Sequence, residues 1–177
     1  MQTNIMGIDP GRNTGITILT LVMDDVTVKW YPTYMYNYTI VMNNGKPMKD
    51  KIVDLRICLT DAMMIFRPSL VAMESAFLNV RFPKAVIVLT EYIQSIKDIL
   101  YSCDRTIPII NLPPKKVKML SSGMATADKD DMRLALKNTV LGNLISDDKL
   151  TSLSEHEVDS AMIALSGMMW LNQEFTI

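Results

Sequence analysis

The opening 22 residues constrain the fold of this chain more than any other stretch. Two runs rich in β-branched residues, 3–9 and 16–22, flank a short segment of proline, glycine and asparagine. This pattern predicts a strand, a tight turn and a second strand, with Asp9 at the end of the first strand. An aspartate before Pro-Gly can also cap a turn by accepting hydrogen bonds from backbone amides, so Asp9 alone fits a structural role equally well.

A third strand follows the predicted hairpin. Residues 26–41 contain valine, tryptophan, tyrosine, threonine and isoleucine at the density expected of strands. Three sequential strands joined by short turns form an antiparallel meander. Pro32 interrupts the third run, which predicts either two short strands or one strand with an irregular centre.

Helices and two further short strands fill the remainder of the chain, which predicts an α/β fold. Apolar residues at three- and four-residue intervals indicate amphipathic helices, whereas short continuous apolar runs indicate strands buried on both faces. The predicted elements are a helix over 48–66, a strand over 69–73 that ends in Glu74, a helix over 83–100, a strand over 107–112, and helices over 114–120, from a cap at Asp128 to about 140, and around 158–169. The apolar arc of the helix over 83–100 spans roughly 160°, so we expect it to have a second packing partner besides a sheet.

The composition is typical of a soluble, intracellular protein with one core. A chain of 177 residues suits a single domain over 1–177, and no apolar run approaches the ~20 residues of a membrane span. The start of the sequence lacks a secretory pattern. Cys58 and Cys103 are too few for a disulfide framework or a zinc site, which favours a reducing compartment. We therefore expect a cytoplasmic location.

Positive charge is concentrated in one segment of a slightly acidic chain. Residues 113–137 contain six positive and three negative side chains, so this segment is net +3 although the whole chain is net −1. Such an asymmetry indicates either contact with phosphate groups or an ordinary solvated surface.

Acidic residues mark three of the predicted element boundaries. Asp9 ends the first strand, Glu74 ends the fourth, and His156 and Asp159 share one face at the start of the last helix. If the first and fourth strands are neighbours, the four side chains can converge. Carboxylates in an apolar setting repel one another unless cations neutralise them, and oxygen ligands favour Mg²⁺ or Mn²⁺. Such a site suits two-metal phosphodiester hydrolysis, although a lone histidine near a helix start is often only a surface or capping residue.

Four motifs, in this order, resemble the RuvC family of Holliday-junction resolvases, whose fold is ribonuclease-H-like. The motifs lie at 7–15, 74–77, 114–129 and 156–161, so the resemblance covers nearly the whole chain. It implies a central mixed five-stranded sheet flanked by helices. It also implies a crossover junction endodeoxyribonuclease, which resolves four-way or branched DNA by paired metal-dependent cleavage. For a phage-type member, the location would be the host cytoplasm.

The resemblance also implies roles for individual residues. Asp9 would bridge two metal ions, Glu74 would complete one metal site, and His156 with Asp159 would complete the other, giving two Mg²⁺ (or Mn²⁺) ions per active site. The family has either Asp or His at the position of His156. Phe77 matches an aromatic residue of the family that packs against opened bases, and Lys118 and Lys129 match lysines near the scissile phosphate. Lys115 and Lys116, from the basic segment, complete the expected DNA-binding residues.

A four-way junction is nearly two-fold symmetric, so paired nicks call for two active sites related by a two-fold axis. We therefore expect a homodimer. The wide apolar arc from Ala85 to Leu100 is the candidate interface, with Leu89 and Ile96 as positions to test.

Two positions depart from the family pattern. Ala125 replaces a glycine in the basic segment, and Ser160 stands where alanine is usual, which leaves the loop geometry and the cleavage sequence open.

Three other functions are compatible with parts of the sequence. They are a ribonuclease-H-like nuclease that acts on structured RNA, a phosphotransferase of the actin and sugar-kinase type, and a catalytically silent DNA-binding module. The phosphotransferase would need two lobes, for which the chain is short. The silent module would be expected to lack at least one of the three carboxylates, and all are present.

Overall fold

A computed structural model describes residues 1–43, 45–76 and 83–174 of the chain. Its strands are β1 (Gln2–Asp9), β2 (Asn13–Asp24), β3 (Lys29–Val41), β4 (Leu70–Glu74) and β5 (Ile109–Leu112). Its helices are α1 (Met48–Phe66), α2 (Pro83–Cys103), α3 (Pro114–Ser122), α4 (Lys129–Asn138), α5 (Asp147–Ser152) and α6 (Glu155–Glu174), with a 3-10 helix at Val140–Leu144 between α4 and α5. The predicted α/β architecture is confirmed.

The five strands form one mixed sheet in the order β3-β2-β1-β4-β5. The meander of β1, β2 and β3 is antiparallel, whereas β4 pairs in parallel with β1 on one side and with β5 on the other. Despite Pro32, β3 is a single strand, and its register with β2 shifts between Thr20 and Leu21. The irregular centre that the proline predicted is therefore present.

Each face of the sheet has its own hydrophobic core, because successive side chains of a strand point to opposite faces. Ile5 of β1 packs on one face with residues of α3, α4 and α6. Met6 and Ile8 of the same strand pack on the other face with residues of α1 and α2. The sheet thus separates two helical layers, and α6 covers one side of β1.

Local signals account for several helix ends. Asp128 caps α4 as predicted, because its side chain accepts from the Asp131 amide while the Asp131 side chain accepts from the Asp128 amide. Gly123 ends α3 in the left-handed conformation, with φ at 74°. The short α5 and the 3-10 helix had no periodic signal and were not predicted. Within the described ranges, no helix has the length and apolar character needed to cross a bilayer.

The wide apolar arc of α2 is mostly used inside the protein. Tyr92, Ile93 and Ile96 lie in the core between the sheet, α1 and α2, so α1 is the second partner that the arc predicted. Ile96 is 0% exposed, so assigning it to an interface between copies was wrong. Ile87 and Val88, in the first half of α2, are the large apolar side chains that remain exposed there.

Candidate metal and DNA-binding site

The pairing of β1 with β4 brings two of the predicted acidic residues to the same edge of the sheet. Ile8 pairs with Met73, so the next residues, Asp9 and Glu74, end adjacent parallel strands. Alternation places Asp9 on the same face as Ile5, which is the face covered by α6. Glu74 lies two residues beyond Ala72, which belongs to the same core, so alternation along β4 places Glu74 on this face too. The condition on which the predicted convergence depended is therefore met.

Two glycines allow α6 to lie directly against the β1–β2 hairpin. A Cβ atom at Gly15 would collide with the carbonyl of His156, and one at Gly7 would collide with the carbonyl of Ser160. Only glycine leaves room for such close approach of a helix backbone to a strand. The contact places the first turns of α6, with His156 and Asp159, beside the end of β1.

His156 makes a direct hydrogen bond to Asp9. Nδ1 of its ring lies 2.8 Å from Asp9 Oδ2, and its Nε2 lies 3.8 Å from Glu155 Oε1. The turn after β1 is closed by Thr14, whose hydroxyl donates to the Gly11 carbonyl at 2.7 Å. The Asp9 carboxylate therefore faces the start of α6, and its contact with His156 distinguishes it from a simple turn cap.

Burial and mutual repulsion perturb the other two carboxylates. Burial, followed by the charges of Asp9 and Asp159, raises the pKa of Glu74 to about 7. Burial, followed by the charge of Asp9, raises the pKa of Asp159 to about 6. The positive charge of Lys118 acts in the opposite direction on both groups. These influences place the three carboxylates and the Lys118 ammonium within electrostatic reach of one another.

The pKa values of Asp9 and His156 are both raised. Burial is the main cause at Asp9 and outweighs the lowering by His156. At His156, the hydrogen bond to Asp9 is the main cause and favours the imidazolium form. Both shifts favour keeping a proton in the site, because the buried Asp9 carboxylate and the His156 imidazole are more stable together when they share a proton than when both have lost it.

The residues of the site fit divalent cations by chemistry. Across residues 1–43, 45–76 and 83–174, no three acidic, histidine or cysteine side chains stand in a ready-made metal-holding arrangement. Instead, Asp9 is engaged by His156. Nevertheless, burial and then the charges of neighbouring carboxylates raise the pKa values of Glu74 and Asp159, so negative charge is unfavourable in this site. Bound cations would relieve this repulsion, and carboxylates with one imidazole form a donor set suited to Mg²⁺ or Mn²⁺.

The predicted DNA-binding residues have different surroundings. Lys118 Nζ donates to the Ala127 carbonyl at 2.6 Å, close to the carboxylates. Lys129 forms an ion pair with Glu155 at the start of α6. Lys115 and Lys116 are exposed on α3 and lie in the basic segment. Phe77 lies outside the described residues.

The structure adds three residues that the sequence patterns did not select for the site. Glu155 contacts both Lys129 and the ring of His156. Ser160 and Thr17 are 0% exposed, and their hydroxyl oxygens lie 2.8 Å apart between α6 and β2. Ser160 had one sequence signal, because it stands where the resembling family usually has alanine. Nothing in the local sequence distinguishes Thr17 from the other hydroxyl side chains of the strands.

Most of the chain matches one protein-family model. The model described as "Crossover junction endodeoxyribonuclease RuvC" matches residues 5–155, which is most of the chain. This chain belongs to the RuvC family. It is accordingly a metal-dependent endodeoxyribonuclease that resolves DNA junctions, an activity of DNA recombination and repair. Among curated proteins, no sequence matches the chain.

Solved structures of similar proteins agree with the fold. RuvC from Thermus thermophilus in complex with a Holliday junction substrate is 18% identical with a TM-score of 0.77, and the alignment covers 97% of this chain and 96% of that one. The yeast mitochondrial Holliday junction resolvase is 16% identical with a TM-score of 0.63, over 96% and 80% of the two chains. The Fowlpox virus resolvase with its junction DNA is 12% identical with a TM-score of 0.56, over 95% and 98%. The ribonuclease-H-like arrangement of sheet and helices is thus shared along nearly the full chain.

Proposed function

We propose that this protein resolves four-way DNA junctions with a metal site formed by Asp9, Glu74, His156 and Asp159, which hold two Mg²⁺ or Mn²⁺ ions. The observation that supports this assignment is the convergence of β1, β4 and α6. It buries Glu74 and brings the carboxylates of Asp9 and Asp159 near it, and burial followed by these two charges raises the pKa of Glu74 to about 7. Repulsion of this kind is destabilising in a metal-free protein and useful only when cations bind.

The chemistry divides between the ions and the side chains. When bound, divalent ions make water a stronger nucleophile at neutral pH and offset the charge that develops on the leaving oxygen. The protein orients these ligands: Asp9 is central because its carboxylate contacts His156 and its charge acts on both Glu74 and Asp159. Lys118 supplies a positive charge beside them, suited to the phosphate that is cleaved.

A cleft beside Asp159 is the candidate path for the DNA backbone. It lies between α4 and α6, and its walls include Lys129, Arg133 and Glu155. Both guanidinium ends of Arg133 donate to backbone carbonyls, of Leu150 at 2.6 Å and Leu153 at 2.9 Å. We assign Lys118 and Lys129 to phosphate contacts, because the charge of Lys118 acts on Glu74 and Asp159 and Lys129 lines this cleft. To contact phosphate, Lys118 would leave the Ala127 carbonyl and Lys129 would leave Glu155. Lys115 and Lys116 lie farther along the basic segment. Binding should weaken steeply with salt, because phosphate contacts release counterions.

We also propose that the protein acts as a homodimer in the cytoplasm, or in the host cytoplasm if it is phage-encoded. Paired nicks in a nearly symmetric junction require two active sites related by a two-fold axis. The first half of α2 is the interface that we assign, because Ile87 and Val88 are 60% and 46% exposed. An apolar cleft lined by Ala85, Leu89 and Tyr92 adjoins them.

The function is tested by cleavage of matched substrates. A four-way junction, a flap, a linear duplex and an RNA hairpin, each labelled on one strand, are incubated with the protein in Mg²⁺, in Mn²⁺ or in chelator. We expect symmetric nicks in the four-way junction that depend on the metal, and little product from the other three substrates. Preferential cleavage of the RNA hairpin or the flap would overturn the assignment of substrate.

The Asp9→Asn variant separates catalysis from binding. Asparagine keeps the size of the side chain but removes the charge that both ions require, so cleavage should fall by at least about 10³-fold while junction binding is retained. Gel-shift titration in chelator measures the binding. Near-normal cleavage by this variant at saturating Mg²⁺ would show that the central ligand is misassigned.

A further inference from the structure

Helix α6 contacts the β1–β2 hairpin at two cross-strand pairs. The first pair is Asp9 and Gly15, which are opposite each other in the antiparallel ladder. His156 meets both members of this pair, through the 2.8 Å contact between its Nδ1 atom and Asp9 Oδ2 and through its carbonyl, which packs on Gly15.

The second cross-strand pair, Gly7 and Thr17, lies two residues farther along each strand. Ser160 meets both members of this pair in the same manner. Its carbonyl packs on Gly7, and its hydroxyl oxygen lies 2.8 Å from Thr17 Oγ1. Each residue of α6 that contacts the hairpin here therefore uses its backbone against a glycine and its side chain against the residue opposite.

The two contacts have matching spacings. Two residues of a strand advance by about 6.6 Å, and the four residues from His156 to Ser160 advance by about 6 Å along a helix. A shift of α6 by one residue would move it by about 1.5 Å and rotate it by about 100°, which would break both contacts at once. The helix therefore has one favoured position on the hairpin.

Of these contacts, the hydroxyl pair is the directional one in which neither partner is itself a proposed metal ligand. Ser160 Oγ also donates to the Glu157 carbonyl at 3.1 Å, which leaves its oxygen to accept from the Thr17 hydroxyl. Ser160 and Thr17 are both 0% exposed, so water does not compete with this bond. The neighbouring contacts of α6 with β1, at Ala164 and Gly167, are apolar and lack a preferred direction.

We propose that Thr17 and Ser160 are positioning residues, whose hydrogen bond sets the position of α6 along the hairpin and thereby the distance from Asp159 and His156 to Asp9. The inference rests on the proposed metal site. Asp159 immediately precedes Ser160, so a displacement of this turn moves a proposed ligand directly. The serine that departs from the family's usual alanine is thus paired with a threonine in this chain, and the two are expected to act together.

The test compares four variants with a matched control. Ser160→Ala and Thr17→Val each remove one hydroxyl, the double variant removes both, and Thr17→Ser keeps the hydroxyl while it removes a methyl group. Ser166→Ala is the control, because Ser166 is 1% exposed on the same helix and, within the described part of the chain, its hydroxyl donates to the Met162 carbonyl of that helix. For each protein, unfolding in urea gives the stability, the rise of Tm with added Mn²⁺ gives the metal affinity, and cleavage is measured across the same metal concentrations.

The double variant gives the decisive result. Replacing both partners of a buried hydrogen bond with apolar groups is nearly neutral for stability. We therefore expect stability close to that of wild type, together with metal affinity reduced by about tenfold and a matching increase in the Mn²⁺ needed for half-maximal cleavage. Each single loss of a hydroxyl should weaken metal affinity to a similar extent, whereas Thr17→Ser and Ser166→Ala should bind metal as wild type does.

Three results from the variants would overturn the inference while leaving the proposed function intact. Recovery of wild-type metal affinity in the double variant would mean that the pair only satisfies buried polar groups. Equal impairment of Thr17→Ser and Thr17→Val would mean that the hydroxyl is not the cause. Loss of metal affinity in Ser166→Ala would mean that any change in α6 has the same effect. If wild type itself neither binds Mn²⁺ nor cleaves junctions, the proposed function fails, and the inference fails with it.

Discussion

At the scale of single residues, protons and metal ions compete for the same side chains of the site. His156 shares a short contact with Asp9, and this contact raises the pKa of the imidazole. An imidazole binds metal only when it is neutral. Protons therefore compete with metal at His156 up to a higher pH than they would at a free histidine, whose pKa is ~6.5.

This competition predicts the pH dependence of three proteins. Between about pH 7.5 and 6, wild-type activity should fall more than that of His156→Asp, because a carboxylate stays ionised down to about pH 4. His156→Ala should be strongly impaired at every pH. Cleavage rates at fixed metal concentration measure the profiles, and the His156→Asp protein controls for the loss of hydroxide that affects all three. Superimposable profiles with full activity in the alanine variant would return His156 to a capping role.

The raised pKa of Glu74 predicts a cost in stability for the metal-free protein. The folded state holds this proton more tightly than the unfolded state, whose pKa is near 4.5, so the contribution of Glu74 to stability is greatest below about pH 4.5 and is lost as pH rises towards 7. In chelator at pH 8, Glu74→Gln should be more stable than wild type by about 1–3 kcal/mol.

Urea unfolding at pH 8 and at pH 4.5 tests this prediction. The gain from Glu74→Gln should be present at pH 8 and nearly absent at pH 4.5. Glu91→Gln is the matched control, because Glu91 is exposed on α2 and should change stability by less than about 0.5 kcal/mol at either pH. A Glu74→Gln protein that is less stable than wild type at pH 8 would contradict the unfavourable burial and repulsion of the Glu74 carboxylate, on which the site assignment depends.

At the scale of elements, the close approach of α6 to the hairpin is the feature that assembles the site. A methyl group at Gly15 would meet the His156 carbonyl, which is backbone and cannot rotate away. We expect Gly15→Ala to lower the free energy of unfolding by about 1–3 kcal/mol and to abolish most cleavage. Gly45→Ala is the control, since a Cβ there would lie 3.5 Å from Asn43 Oδ1, an ordinary contact. Equal stability of the two variants would show that α6 can move away without cost.

At the scale of the whole molecule, we expect a monomer to make single nicks in a junction and a homodimer to make the paired cuts that resolve it. A charge at Ile87 or Val88 should give a folded monomer that still nicks junctions but no longer makes paired cuts, because the second active site is absent. Analytical sedimentation and the ratio of nicked to resolved product measure the two effects. Val26→Asp is the control, because Val26 is 89% exposed in the turn between β2 and β3 and does not belong to α2.

The assignment of this interface has clear contrary outcomes. Ile87→Asp that still sediments as a dimer would place the interface elsewhere, and wild type that sediments as a monomer would remove the homodimer altogether. The organisation of the chain as a single domain over 1–177 also stays a prediction.

Several elements of the fold follow from patterns within short stretches of the chain. The meander of β1, β2 and β3, the helix α1 and the cap of α4 at Asp128 all follow from patterns within a few residues, such as periodicity, turn residues and a capping box. The placement of Asp9 and Glu74 at strand ends belongs to the same class. So does the family resemblance, because its motifs are short and lie in order along the chain.

Which of these elements meet depends on packing between distant parts of the chain. β1 and β4 are separated by some 60 residues. Their parallel pairing depends on how the two helical layers pack, which no local window records. The same reason applies to the contact between Thr17 and Ser160 and to the ion pair of Lys129 with Glu155. The sequence thus supplied the chemical groups of the site, whereas the packing of α6 against the hairpin set the distances between them. These distances are fixed only when both cores have formed, because the groups come from segments that are far apart in the chain.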